Sequence, residues 1–210
     1  MLTITFVRHG QTDYNADGRV QGRGIDSDLN ALGRWQAERL ADRLASEPLT
    51  ALYTSSLRRT HQTAEPLLAR RPDLAPVALA DLDEMDWGDY EGQAATAEIQ
   101  DRYRRYVESW NGGAFDHAVS GGESPQDVET RARRAVEQIQ SVHRTGNVLV
   151  VTHGRLLRVL LASLLPDFSL RRMQELTHEN TAVSIVDLDG GAPRARILND
   201  TSHLDAAQAA

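Results

Sequence analysis

The chain has 210 residues, 40% hydrophobic and 25% charged, with a net charge of −7. That length suits one globular domain with a well-buried core, and the acid excess argues against general nucleic-acid binding, which draws its affinity from a basic face. Cysteine and lysine are absent and all 23 basic residues are arginine, which excludes thiolate chemistry, disulfide frameworks, Schiff bases and the lysine-bearing P-loop.

The run Met1–Val7 meets Arg8 at once. It lacks the basic start and long apolar stretch of a signal peptide, so Thr3–Val7 reads as a strand. Leu32, Trp35, Leu40 and Leu44 predict a helix over Asn30–Ser46, ended by Pro48. Ala51–Thr54 reads as a short strand, Leu57–Ala69 as a helix closed by Pro72, and Val77–Leu79 as another short strand. Asp81–Gly92 is a polar loop rich in acids and glycine. Residues 94–110 read as a helix bearing Tyr103, Tyr106 and Trp110, followed by a Gly-rich loop, Asn111–Gly122. Glu123–His143 carries the i, i+4 charge pairing of a long exposed helix. Val148–Val151 is an apolar strand, Leu156–Leu165 an apolar helix stopped by Pro166, and Val183–Leu188 and Ala195–Leu198 are late strands. The tail after Leu204 is expected to fray. No apolar run approaches the length that spans a bilayer, so a cytoplasmic location is expected, with neither membrane nor nucleic acid as partner.

Strands alternating with helices imply an α/β domain with a mostly parallel sheet. One domain is expected over 1–204, with a helical excursion at about 93–122 over one end of the sheet and a C-terminal tail at 205–210. Ligands bind such sheets beyond the carboxyl ends of the strands. Two strand exits carry the same dipeptide there: Val7-Arg8-His9-Gly10 and Val151-Thr152-His153-Gly154. A third exit, Thr54-Ser55-Ser56-Leu57-Arg58-Arg59, brings arginine to the same edge.

These residue types suit phosphoryl transfer, which is mainly positioning and neutralisation of oxygen charge. Arginines fork onto phosphate oxygens. A neutral histidine can attack phosphorus, and a second can stabilise charge in the transition state. A carboxylic acid must protonate the leaving oxygen, and the acidic loop offers Asp83, Glu84, Asp86, Asp89 and Glu91.

The sequence resembles the histidine phosphatase superfamily, which includes the cofactor-dependent phosphoglycerate mutases. The resemblance rests on Arg8-His9-Gly10-Gln11-Thr12 with Asn15, on Gly18-Arg19 and Gln21-Gly22, and on Ser55-Ser56-Leu57-Arg58-Arg59 with Gln62-Thr63-Ala64. It continues through Leu82-Asp83-Glu84 with Gly88 and Glu91-Gly92, Gly121-Gly122-Glu123-Ser124, Thr152-His153-Gly154, Asn180-Thr181-Ala182-Val183-Ser184 and Leu198-Asn199-Asp200. Thr60, where the family more often has alanine, is a departure. The resemblance implies a six-stranded α/β fold and a phosphohistidine on His9. It implies Arg8, Arg59 and His153 around the phosphoryl group, Glu84 as proton donor, and Asn15, Gln21, Gly22 and Gly154 as binding residues, with no metal and no cofactor. The chain is shorter than the mutases it resembles, and Met85-Asp86-Trp87-Gly88 looks phosphatase-like, so hydrolysis of a small phosphorylated metabolite is the expected activity. The alternatives are a phosphoglycerate mutase and a non-catalytic phospho-ligand or protein-binding module. Oligomeric state stays open, a homodimer being one arrangement.

Arg58 reads as a solvated helix-start residue, and His61, His117, His143, His178 and His203 as surface or capping residues. Tyr103, Tyr106 and Trp110 either pack in the core or offer apolar surface to the substrate.

Overall fold

Strands β1 (Leu2–Arg8) and β4 (Gly146–Thr152) are buried on both faces over most of their length, as in a sheet covered by helices on each side. In the computed structural model, which describes residues 1–205, they form the centre of a six-stranded sheet. The other strands are β2 (Leu49–Thr54), β3 (Pro76–Ala78), β5 (Val183–Leu188) and β6 (Arg194–Asp200), and the order is β3-β2-β4-β1-β5-β6. The first four strands in chain order are mutually parallel, β5 runs antiparallel to β1, and the edge strand β6 runs antiparallel to β5.

The helices are α1 (Asp13–Ala16), α2 (Ala31–Leu44), α3 (Arg58–Arg70), α4 (Ala97–Gly112), α5 (Pro125–Val142), α6 (Gly154–Leu164) and α7 (Ser202–Asp205). Alternate residues of β1 and β4 feed opposite cores. Ile4, Phe6, Val148 and Val150 pack with Val136 and Ile139 of α5 and Leu157 and Leu160 of α6. Val7, Leu149 and Val151 pack with Leu40 and Ala41 of α2 and Leu67 of α3.

The expected strands and long helices are present, with boundaries displaced by a few residues. Two short elements, α1 and α7, have no hydrophobic period to announce them; α1 is held by a reciprocal capping box between Thr12 and Asn15. The expected tail from 205 begins with Asp205 as the last residue of α7, and its remainder lies outside the described residues. Among the described residues, no helix is long and apolar enough to cross a membrane.

Candidate active site

The two histidines meet because their strands are neighbours in register. Arg8 pairs with Thr152 across β1 and β4, so the next residue on each strand is a histidine, one strand spacing apart. The His9 N–H donates to the Thr152 carbonyl at 2.9 Å, and the two ring centroids lie 5.1 Å apart. On the far side of β4, Ser55 at the β2 exit donates its N–H to the Val151 carbonyl. The third exit is thereby attached to the same edge.

Neither glycine behind the histidines adopts a positive φ. Gly10 is required by close approach instead: a Cβ there would press on the Gly33 carbonyl of α2. A Cβ on Gly154 would sit 3.2 Å from Arg8 Nε. Both glycines are therefore explained by packing and not by turn conformation.

The rings differ in their hydrogen bonds. His9 Nδ1 lies 2.7 Å from the Gly10 carbonyl, and a carbonyl can only accept, so Nδ1 carries the proton and Nε2 the lone pair. Burial and the Arg59 and Arg8 cations hold the His9 pKa well below the ordinary 6.5, so the ring is neutral at neutral pH. His153 Nδ1 accepts from Arg59 Nε at 3.2 Å, which leaves Nε2–H to donate to Ser55 Oγ at 2.8 Å. Burial, then Arg59, depress its pKa as well.

Glu84 is tied to α6. Its Oε1 accepts from the Met85 and Leu156 N–H groups at 2.9 and 3.0 Å, and its Oε2 from the Arg155 N–H at 3.1 Å. The first turn of a helix leaves N–H groups without partners, and His153, the N-cap residue of α6, makes no side-chain cap. Glu84 supplies that cap from 70 positions upstream. The 81–84 segment is itself held by Arg131, buried on α5, which donates to the Asp81, Asp83 and Glu84 carbonyls and pairs with Glu123. The sequence reading treated α5 as an exposed, charge-paired helix. That description fits Arg133, paired with Glu129 one turn away, but not Arg131.

A cavity of about 260 Å³ opens at this edge, lined among others by Arg8, His9, Asn15, Gln21, Glu84 and Gly154. Among the described residues, Glu84 is the one carboxylate in its lining. The other acids of the loop are engaged elsewhere: Asp83 accepts from Ser56, Asp86 from the Gly88 N–H, Asp89 from Ser120, and Glu91 from the Gly24 and Trp87 N–H groups. Arg59, His153 and Gly22 stand behind the cavity wall. Arg59 donates Nη1 to the Ile25 carbonyl and Nη2 to the Gly22 carbonyl, and burial pulls its pKa down to about 10, leaving it charged at neutral pH. Gly22 therefore enters through its carbonyl, as a support for Arg59. Arg8 commits only Nη1, to the His178 carbonyl, and its buried Nε has no partner. Asn15 Oδ1 accepts from the Thr12 N–H and from Asn180 Nδ2. Gln21 accepts from Thr12 Oγ1 and donates to Ser27.

The register that turns Arg59 inward leaves Arg58 at the surface beside Asp28. Among the charged and titratable residues lining the cavity, Arg155, Arg158 and His178 were not read from the sequence as site residues. His178, expected as a surface or capping residue, is buried, because its carbonyl receives Arg8 and the adjoining Thr181 N–H pairs with the Arg8 carbonyl. Arg155 and Arg158 did carry a signal, as two arginines three apart in an otherwise apolar helix. Tyr103 and Trp110 do not line the cavity; with Trp87 they surround the Arg155 guanidinium at 5.4–5.8 Å, and Tyr103 Oη accepts from it. The 93–122 excursion thus shapes the cavity by holding an arginine.

A family model described as histidine phosphatase superfamily (branch 1) matches residues 4–201. The chain is 33% identical over 204 residues to "Phosphoglycerate mutase-like protein 4" of Arabidopsis thaliana, covering 96% of this chain and 86% of that protein. It is 33% identical over 208 residues to "Metal-independent phosphoserine phosphatase" of the same plant, covering 96% and 82%. Among solved structures, mycobacterial glucosyl-3-phosphoglycerate phosphatase in complex with VO3 matches with a TM-score of 0.82 at 29% identity, covering 95% of this chain and 99% of that one.

Proposed function

The chain belongs to the histidine phosphatase superfamily, branch 1, and from that premise we propose that it hydrolyses a small phosphate monoester through a phosphohistidine on His9, with Glu84 as proton donor. The observation that carries this reading is the His9 tautomer. With Nδ1–H committed to the Gly10 carbonyl, the lone pair resides on Nε2, in a cavity whose one carboxylate belongs to Glu84.

In the first step His9 Nε2 attacks phosphorus, the bond from phosphorus to the ester oxygen breaks, and that oxygen takes the proton of Glu84. In the second step Glu84 removes a proton from water, the water oxygen bonds to phosphorus, and the N–P bond breaks to release phosphate. Arg8 is the phosphoryl clamp best supported by the geometry, since most of its donors are uncommitted. Arg59 and His153 support the site from behind, Arg59 by adding positive charge near phosphorus and keeping His9 unprotonated. The cavity is smaller than the ~300–1,000 Å³ typical of drug-sized ligand sites, which favours a small metabolite.

The test is to quench the enzyme during turnover of a radiolabelled phosphate monoester. Label on His9 that is acid-labile and base-stable is expected; steady turnover with no protein-bound label would overturn the reading. Chelators are expected to leave activity intact. The name of the Arabidopsis relative in the mutase-like group favours a second reading, transfer of the phosphoryl group to another phosphoglycerate. Release of phosphate from 3-phosphoglycerate without formation of 2-phosphoglycerate separates the two.

A further inference from the structure

Many arginines of this protein are ion-paired, among them Arg70 with Glu38 and Asp42, Arg131 with Glu123, Arg134 with Asp81, and Arg172 with Glu175. The wall of the cavity formed by the start of α6 breaks that habit. Arg155 and Arg158 both line the cavity, and among the described residues neither has a carboxylate partner; their shared partner is a neutral one. Gln174 Oε1 accepts from Arg155 Nη1 at 3.3 Å and from Arg158 Nη1 at 2.9 Å. Beside them His178, 6% exposed, lines the same cavity with its Nε2 buried and unpartnered.

Two like charges held together without a counter-ion cost stability. Burial and the neighbouring Arg155 cation both depress the Arg158 pKa. Yet the pair is built in place: the rings of Trp87, Tyr103 and Trp110 surround Arg155, and Gln174 spans both guanidiniums. A fixed pair of unneutralised cations facing a ligand cavity is matched by an anion of the ligand.

We infer that Arg155, Arg158 and His178 form a second anion subsite, which binds a further anionic group of the substrate while Arg8 and His9 hold its phosphoryl group. The substrate is then a doubly anionic metabolite, a phosphate monoester that also carries a carboxylate or a second phosphate. This rests on the phosphatase reading for the phosphoryl end alone. Gln174 is a positioning residue, acting through the two arginines.

The test uses phosphonates, which mimic the ester but cannot be cleaved, titrated calorimetrically into the whole protein. Butylphosphonate offers one anionic end, 4-phosphonobutyrate adds a carboxylate, and butane-1,4-diphosphonate adds a second phosphonate. One of the doubly anionic probes is expected to bind at least about tenfold tighter than butylphosphonate, and the tighter of the two identifies the group. In Arg158→Gln that preference is expected to fall about tenfold, and Arg158→Lys to restore part of it. Equal binding of all three probes by the unaltered protein, or a preference unchanged in both Arg158→Gln and Arg155→Gln, overturns the subsite. Phosphate release from an aryl phosphate is measured in parallel. Its absence alongside an intact probe preference would remove the phosphatase reading and leave the subsite standing.

Discussion

The exits of β1 and β4 carry the same His-Gly dipeptide on adjacent strands, yet their imidazoles are wired in opposite ways. His9 satisfies Nδ1 within its own turn, at the Gly10 carbonyl, which frees Nε2. His153 has both nitrogens engaged by the β2 exit and the helix after it, through Ser55 and Arg59. The cause is sheet order. His153 lies next to β2, which delivers a hydroxyl and a guanidinium, whereas His9 lies between β4 and β5, where Asn180 reaches its backbone carbonyl and not its ring. The dipeptide brings an imidazole to the sheet edge, and the neighbouring strand decides whether that imidazole is free to react.

The largest loss is expected in His9→Ala, which lowers kcat/KM on an aryl phosphate by at least about ten-thousand-fold, with the folded state checked by circular dichroism. Glu84→Gln keeps one amide oxygen for the Leu156 N–H but sets its NH2 against the Arg155 N–H, so the fold is expected to survive with some loss of stability while kcat falls about 10²–10⁴-fold. His153→Ala is expected to cost less, about 10²–10³-fold. A loss at His153 equal to that at His9 would dissolve the distinction between them.

The same wiring predicts pH behaviour. Arg59 helps keep His9 unprotonated, so the acid limb of kcat/KM set by His9 is expected below pH 6.5, and Arg59→Gln is expected to move it upward. A limb that stays put in the variant would remove Arg59 as the cause. Ser55→Ala leaves the His153 Nε2–H buried without its acceptor and is expected to destabilise the protein by about 1–3 kcal/mol in denaturant titrations. Acid sensitivity is also expected. Burial holds the His178 pKa down at about 3. Between pH 6.5 and about 3 the unfolded chain therefore binds a proton at residue 178 that the folded chain does not. Stability is lost as pH falls through that window, by up to about 1.4 kcal/mol per pH unit for this one group, and Tm measured across pH reads it out.

The strands and long helices were legible because hydrophobic periodicity is a local property. Arg59 was separable from Arg58 by motif register, and Glu84 from its acidic neighbours by the same kind of match. His178 and Arg131 were not legible. Each sits in a segment whose polar character reads as solvated, and each becomes buried only because another element supplies backbone carbonyls or charge around it. The aromatic residues of α4 read equally as core or pocket, since spacing records a face and not what that face meets.

The composition and motifs alone set which chemical groups the protein can bring to the edge of its sheet: two imidazoles, arginines as its sole permanent side-chain cations, and a loop of carboxylates. It took the folded arrangement to set which ring nitrogen is left free, to make Glu84 cap a helix beginning 70 positions further on, and to bring Arg155, Arg158 and His178 into one cavity with His9. The reason is physical. Side-chain identity is written residue by residue, whereas hydrogen-bond partners 72 and 94 positions apart, such as Glu84 with Leu156 and Arg59 with His153, exist only once strand order and register bring them together.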